Sequence, residues 1–153
     1  MGPWTARLAE LGITLPRVAS PVGVYVAAVR SGAHVYTSGQ LPLVDGVLPA
    51  TGKVGADLDA SEAAALARVA TLNALAAVDQ LVGIDAVVRV LKVVGFVASA
   101  PSFTGQADVV NGASTLLHEV FGQAGVHARS AVGMAVLPLD SPVEVELHLE
   151  IVS

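Results

Sequence analysis

The residues of this chain best suited to chemistry are an arginine among small residues and a glutamate in a strand of acids. In Ala128-Arg129-Ser130-Ala131-Val132-Gly133-Met134-Ala135 an extended backbone turns Ala131, Gly133 and Ala135 to the same side as Arg129. Those small side chains leave a concave space beside a planar cation. A guanidinium fork binds a carboxylate through two parallel hydrogen bonds, so the chemistry implied is the grip of a small anionic ligand. Glu144 stands in Val143-Glu144-Val145-Glu146-Leu147-His148-Leu149-Glu150-Ile151, the clearest alternation in the sequence. A carboxylate there can orient a water or take its proton. A plainer reading accompanies each residue: Arg129 pairs with a strand glutamate or crosses to a partner subunit, and Glu144 is a solvated strand acid.

Other chemistries find less support. The four histidines, His34, His118, His127 and His148, include no His-x-x-x-His spacing, so a metal would need ligands gathered from separate elements, and none is expected. Ser38 in Thr37-Ser38-Gly39-Gln40 is followed by a loop, whereas a nucleophile elbow leads straight into a helix. The glycines around Gly52 and Gly55 match neither the dinucleotide fingerprint nor the Walker A spacing, which leaves a nucleotide cofactor without support. The absence of cysteine removes disulfides and thiolate nucleophiles.

The elements that would position Arg129 and Glu144 follow from periodicity. Leu8 and Leu11 with Ala6 suit a short helix ending before Pro16. A Val-rich run from Tyr25 to Ser38, broken at Ser31-Gly32, reads as a hairpin whose first strand starts at Tyr25. Breakers from Leu41 to Gly55 mark a loop. Asp59 followed by Glu62 has capping-box spacing, and Leu66, Val69, Leu72, Leu75 and Val78 continue at helical intervals until Gly83. Val87 to Phe96 reads as a strand reached by a crossover connection, and a loop from Ala98 to Gly105 leads into a helix ending at Phe121. The order β-β-α-β-α-β-β fits a single sheet with two helices on one face, an α+β fold. With the last two strands as neighbours, Ser130, Val132, Met134 and Val136 would face the core, and Arg129 would share the other face with Glu144, Glu146, His148 and Glu150.

Composition sets the frame. A chain of 153 residues suits one domain, and 54% hydrophobic with 14% charged residues implies extensive burial or a large subunit interface. A net charge of −5 and 4% aromatics oppose binding to nucleic-acid phosphates, stacked bases or anionic lipid, so neither nucleic acid nor a membrane is an expected partner. Arg7 and Glu10 interrupt the opening segment where a secretory signal would be apolar. Glu62, Arg68 and Asp79 punctuate the most helical stretch and Pro101 breaks the longest later run, so no membrane span is expected and a cytoplasmic location is.

Several segments together carry a family resemblance: Tyr25 before the Val-rich strand, Thr37-Ser38-Gly39-Gln40-Leu41-Pro42, Val109-Val110-Asn111, and above all Ala128-Arg129-Ser130-Ala131-Val132, Leu137-Pro138 and Val143-Glu144-Val145-Glu146. In residue type and spacing the chain resembles the Rid (reactive intermediate deaminase, or YjgF) family, also described as endoribonuclease L-PSP-like, from about Val22 to Ile151. The resemblance implies a bacillar chorismate-mutase-like fold and a homotrimer with sites between subunits. Deaminase members hydrolyse reactive 2-enamine or 2-imine acids, released by pyridoxal-phosphate enzymes, to 2-keto acids and ammonia, with no cofactor of their own. Carried over by position, Arg129 would grip the substrate carboxylate, Glu144 would hold the attacking water, and Tyr25, Ser38, Gly39, Asn111 and Ala131 would line the pocket.

The chain also departs from the better-known members. Position 131 is Ala where they often have Cys, residues 1–21 would be an N-terminal extension, and Ser99 to Gly105 an expanded loop. If position 131 serves through its backbone N–H, Ala is as capable as Cys of binding an oxygen. The resemblance leaves two alternatives to deamination: endoribonuclease activity or inhibition of translation, and a non-catalytic sensor of a small keto or amino acid.

Overall fold

The computed structural model describes residues 1–153 apart from Ala19 and Val22. Val22, where the family resemblance begins, therefore lies outside the described residues. The chain forms, in order, helix α1 (Pro3–Glu10), strands β1 (Ala28–Ser31) and β2 (His34–Thr37), helix α2 (Ala60–Val82), strand β3 (Val87–Ala98), helix α3 (Gln106–Phe121) and strands β4 (Ala128–Met134) and β5 (Val143–Ile151). The order expected from periodicity is present, with α1 ahead of it.

Local chemistry explains the boundaries. The Asp59 carboxylate accepts from the Glu62 N–H at 2.8 Å and opens α2, and Gly83 closes it at a φ of 82° that suits a residue without Cβ. Along α2, Leu66, Leu75 and Val78 are buried with Ala63, Ala67, Ala70, Ala74 and Ala77 between them, while Val69 and Leu72 are half-buried. Helix α1 has Gly2 at its N-cap and no capping side chain of its own. Asp85 supplies the missing acceptor, taking the N–H groups of Gly2, Trp4 and Thr5. The Thr5 hydroxyl bond and the backbone bonds hold the Asp85 carboxyl below its ordinary value. Leu8 completes the docking by entering the core.

The five strands form one sheet in the order β1-β2-β5-β3-β4, antiparallel except for β3 and β4. Both long helices cover one face, where Val90, Val93 and Val97 of β3 and the odd-numbered residues of β5 pack against Leu116, Leu117 and the α2 alanines. Gly95 and Ala131 are small because α3 presses there: a side chain at position 95 would run into Val110.

Three expectations are corrected. First, the last two strands are not neighbours. Helix α3 is a crossover that sets β4 parallel to β3 on its outer side, and β5 runs antiparallel between β2 and β3. In the β3/β4 register Val93 pairs with Arg129 and Gly95 with Ala131, and Val93 and Gly95 are buried beneath the helices. Residues abreast in a parallel pair share a face, so Arg129 and Ala131 lie on the helix side. Val132 and Met134 are exposed on the open face, together with Glu144, Glu146, His148 and Glu150. Second, the first strand begins at Ala28, and Tyr25 sits in the exposed segment before it. Third, α2 is long and apolar enough to cross a membrane, because its alanines outweigh Glu62, Arg68 and Asp79. Half of that stretch is buried inside the fold, against the sheet and α3.

Candidate functional site

The residues picked out by their chemistry separate into two groups. Around β4 and α3, Arg129 Nη1 donates to Asn111 Oδ1 at 2.7 Å and to Ser114 Oγ at 3.2 Å. Asn111 and Ser114 are one turn apart on α3 and so present both acceptors from one side of the helix. The height of α3 is set by Gly112, where any side chain would meet the Ala64 carbonyl of α2. Ala131 is half-buried two residues further along β4. As an edge strand, β4 turns half of its backbone groups outward, away from β3.

The second group surrounds Glu144 on the open face of the sheet. Gln40 and Val145 exchange backbone hydrogen bonds of 2.8 and 3.0 Å, which fasten the segment after β2 to β5. Gly39 is thereby set under the Glu144 carboxylate, with no room for a Cβ between them. The Ser38 hydroxyl donates to the Val26 carbonyl at 2.6 Å and its N–H to the Ala27 carbonyl at 2.8 Å. Ser38 thus holds the Tyr25 segment in place, and that segment closes one wall of the site. Tyr25, Gly39 and Glu144 line a cavity of about 300 Å³ whose remaining walls include Leu41, Leu43 and Leu139. Leu139 is held at a φ of 58°, a left-handed conformation uncommon for a branched residue, with its side chain exposed at the rim.

Electrostatics distinguish the groups. Burial first, and then the negative charge of Glu146, hold the Glu144 carboxyl above its ordinary value. Arg129 instead stands among neutral acceptors that leave its charge available. Strands β4 and β5 flank β3, so the groups stand two strand spacings apart across the sheet, roughly 10 Å. They are also offset by the three residues between Val93, opposite Arg129, and Phe96, opposite Glu144, and lie on opposite faces. One chain does not bring Arg129 and Glu144 together.

Among the described residues no group of three or more His, Asp or Glu gathers as a metal would require. On the open face His34 Nδ1 and His148 Nε2 lie 2.9 Å apart, and the Tyr36 ring stacks on His148 at 4.0 Å. Burial and the charge of His34 lower the His148 value.

Comparison with known proteins decides the relationship. A family model described as "YjgF/chorismate_mutase-like, putative endoribonuclease" matches residues 5–151. This chain belongs to the YjgF family. Protein TCP17 of Trypanosoma cruzi is 45% identical over 152 residues, which cover 98% of this chain and 95% of that protein. Among crystal structures, the Agrobacterium tumefaciens protein Atu1372, of unknown function, is 44% identical with a TM-score of 0.89 over 97% of this chain and 92% of that one. Escherichia coli TdcF, crystallised with bound serine, is 27% identical with a TM-score of 0.61 over 90% of this chain and 94% of its own. The sheet and paired helices are the YjgF, chorismate-mutase-like fold.

Within the YjgF frame, some residues were missed from sequence. Ser114 was open to discovery, since it follows Asn111 by three on one helix face. Glu146, which shares a face with Glu144 at i+2, adds to burial in holding the Glu144 carboxyl above its ordinary value. Leu139 had no signal, because a left-handed leucine contradicts its own preference.

Proposed function

We propose that the protein hydrolyses reactive 2-imino and 2-enamino acids to 2-keto acids and ammonia, in the cytoplasm and as a homotrimer. Its sites would be completed where the Arg129 group of one copy meets the Glu144 group of the next. The observation that carries this reading is the separation itself: Arg129, read as a carboxylate grip, and Glu144, read as a base, lie on opposite faces of one sheet. Closed rotational symmetry would repeat the contact and cover the open face. TdcF with bound serine adds that a relative holds a molecule carrying a carboxylate and an amino group.

The chemistry needs few groups. Arg129 binds the substrate carboxylate through the fork left free by Asn111 and Ser114. The protonated imine carbon is already electrophilic. Glu144 takes a proton from water as oxygen bonds to that carbon and returns it to nitrogen. It then takes the remaining hydroxyl proton as the carbonyl forms and the carbon–nitrogen bond breaks, and passes it to the departing ammonia. Ammonia leaves and the keto acid remains. A glutamate held above its ordinary value by burial is a stronger base for the first step and a usable acid for the second. No cofactor enters, and pyridoxal phosphate stays with the enzymes that release the substrate.

The test is ammonia release from freshly generated 2-aminoacrylate, by wild type and by a refolded mixture of Arg129→Ala and Glu144→Ala chains. At substrate concentrations well below KM, each variant alone is expected to lose at least about a hundredfold of the wild-type rate. The mixture should recover activity, because mixed oligomers contain some contacts with both groups intact. Keto-acid binding without turnover would favour the sensor reading. Cleavage of RNA at physiological salt would favour the nuclease reading, for which the family description is the support.

A further inference from the structure

We infer that Ser114 and His127 form a positioning relay for Arg129, an assignment that rests on the reading of Arg129 as a carboxylate grip. The relay starts from a fixed backbone oxygen. Gly125 lies so close to the Leu117 carbonyl of α3 that no side chain fits, which pins the peptide it belongs to. His127 Nδ1 stands 2.6 Å from the Gly125 carbonyl oxygen. A carbonyl only accepts, so Nδ1 carries the hydrogen, and in the neutral ring Nε2 is then an acceptor.

The atom 2.9 Å from Nε2 is Ser114 Oγ, so the serine hydrogen points to His127. That leaves the Ser114 lone pairs for Arg129 Nη1, 3.2 Å away. Donors therefore run in one direction, Arg129 to Ser114 to His127 to Gly125, and each bond polarises the next. A serine inside a helix commonly returns its hydroxyl to the carbonyl four residues back, as Thr71 returns its own to Ala67 at 2.7 Å. Ser114 is turned to His127 instead.

The consequence falls on the guanidinium. Nη1 has two hydrogens, and Asn111 Oδ1 and Ser114 Oγ take both. Its remaining edge, Nε with Nη2, is the fork that matches a carboxylate, and the relay holds that edge still before the ligand arrives. A freely rotating serine would offer Nη1 a hydrogen as often as a lone pair and would not hold it.

Nitrogen-15 spectra and kinetics test this separately. In wild type, Arg129 Nη1 and Nη2 should give separate signals, with His127 protonated on Nδ1 and not on Nε2. The Arg129 signals should coalesce in Ser114→Ala. Coalesced signals in wild type, or a hydrogen on Nε2 alone, overturn the relay. In ammonia release, Ser114→Ala and His127→Asn should each raise KM about tenfold with kcat within about twofold, the loss of one bond to a charged group. The double variant should lose no more than either single one. His127→Gln, which can keep an acceptor near Ser114, should restore KM to within about threefold of wild type. Unchanged KM, additive losses, or a drop in kcat at constant KM overturn the assignment, and so does labelling of Ser114 by a fluorophosphonate, which marks a nucleophile. If wild type releases no ammonia the deaminase reading fails, and the nitrogen spectra still decide the relay.

Discussion

The Arg129 group and the Glu144 group are built by opposite means. Arg129 is surrounded by named partners: Nη1 is taken by Asn111 and Ser114, and the helix carrying them is set by the contact of Gly112 with α2. Among the described residues no hydrogen bond relieves Glu144, which is pressed by burial and by Glu146 into a state that favours its proton. A cation that must bind the same carboxylate before and after reaction gains from being held still. A carboxylate that must take and return a proton gains from an unsatisfied environment, since hydrogen bonds to its charged form would make it a weaker base. The difference separates binding from chemistry along the sheet.

Substitutions should therefore fail in different parameters. Glu144→Gln removes the base and should lower kcat by roughly a thousandfold, within the range for general base catalysis, with KM little changed. Arg129→Ala removes a two-bonded charged grip and should raise KM by about a hundredfold. Steady-state ammonia release reads both. A large KM change in Glu144→Gln, or an unchanged KM in Arg129→Ala, breaks the division.

The two glycines at these sites extend the contrast from kinetics to stability. At position 112 an added Cβ meets the backbone of α2, which cannot move aside. Gly112→Ala should destabilise the fold by about 3 kcal/mol, at the upper end for an overpacked core, with a lowered thermal midpoint. At position 39 the atoms nearest an added Cβ are the carboxylate and Cγ of Glu144, a side chain that can swing away. Gly39→Ala should leave the midpoint almost unchanged and lower kcat about tenfold, because the displaced carboxylate no longer meets the water. A stability loss at position 39 would mean that Glu144 is held as firmly as Arg129.

The same division bears on what the sequence discloses. Element types and most boundaries were legible because α2 and β5 follow their periods closely, with Asp59, Gly83 and the odd residues of β5 acting as local periodicity requires. The placement of Arg129 was not legible from alternation. In Arg129 to Met134 the small residues Ala131 and Gly133 face α3, while Val132 and Met134 face outward. On an isolated domain that pattern puts the apolar side on the wrong face, and hydrophobic alternation alone inverts it. Which strands neighbour one another is a long-range property set by the crossover through α3, and no local spacing encodes it. The family resemblance names Arg129 and Glu144 together, and the sheet order separates them into two groups.

The smallest expected effect isolates the charge that keeps Glu144 unsatisfied. Glu146→Gln removes the like charge and leaves burial as the remaining cause, so the Glu144 value should fall toward the ordinary one. An acid raised by folding favours the fold fully below its unfolded value, and that contribution is lost as pH rises through the folded value. Glu146→Gln should thus be more stable than wild type above that window and equal to it below, a difference read by thermal melts at acid and neutral pH. The acid limb of kcat, which reports Glu144 ionising, should move to lower pH in the same variant. The KM set by Arg129 should stay level, because Asn111 and Ser114 hold its guanidinium in place whatever the charge at position 146. A KM that moved with the acid limb would show the two groups coupled through one charge field, and the separation of binding from chemistry would not hold.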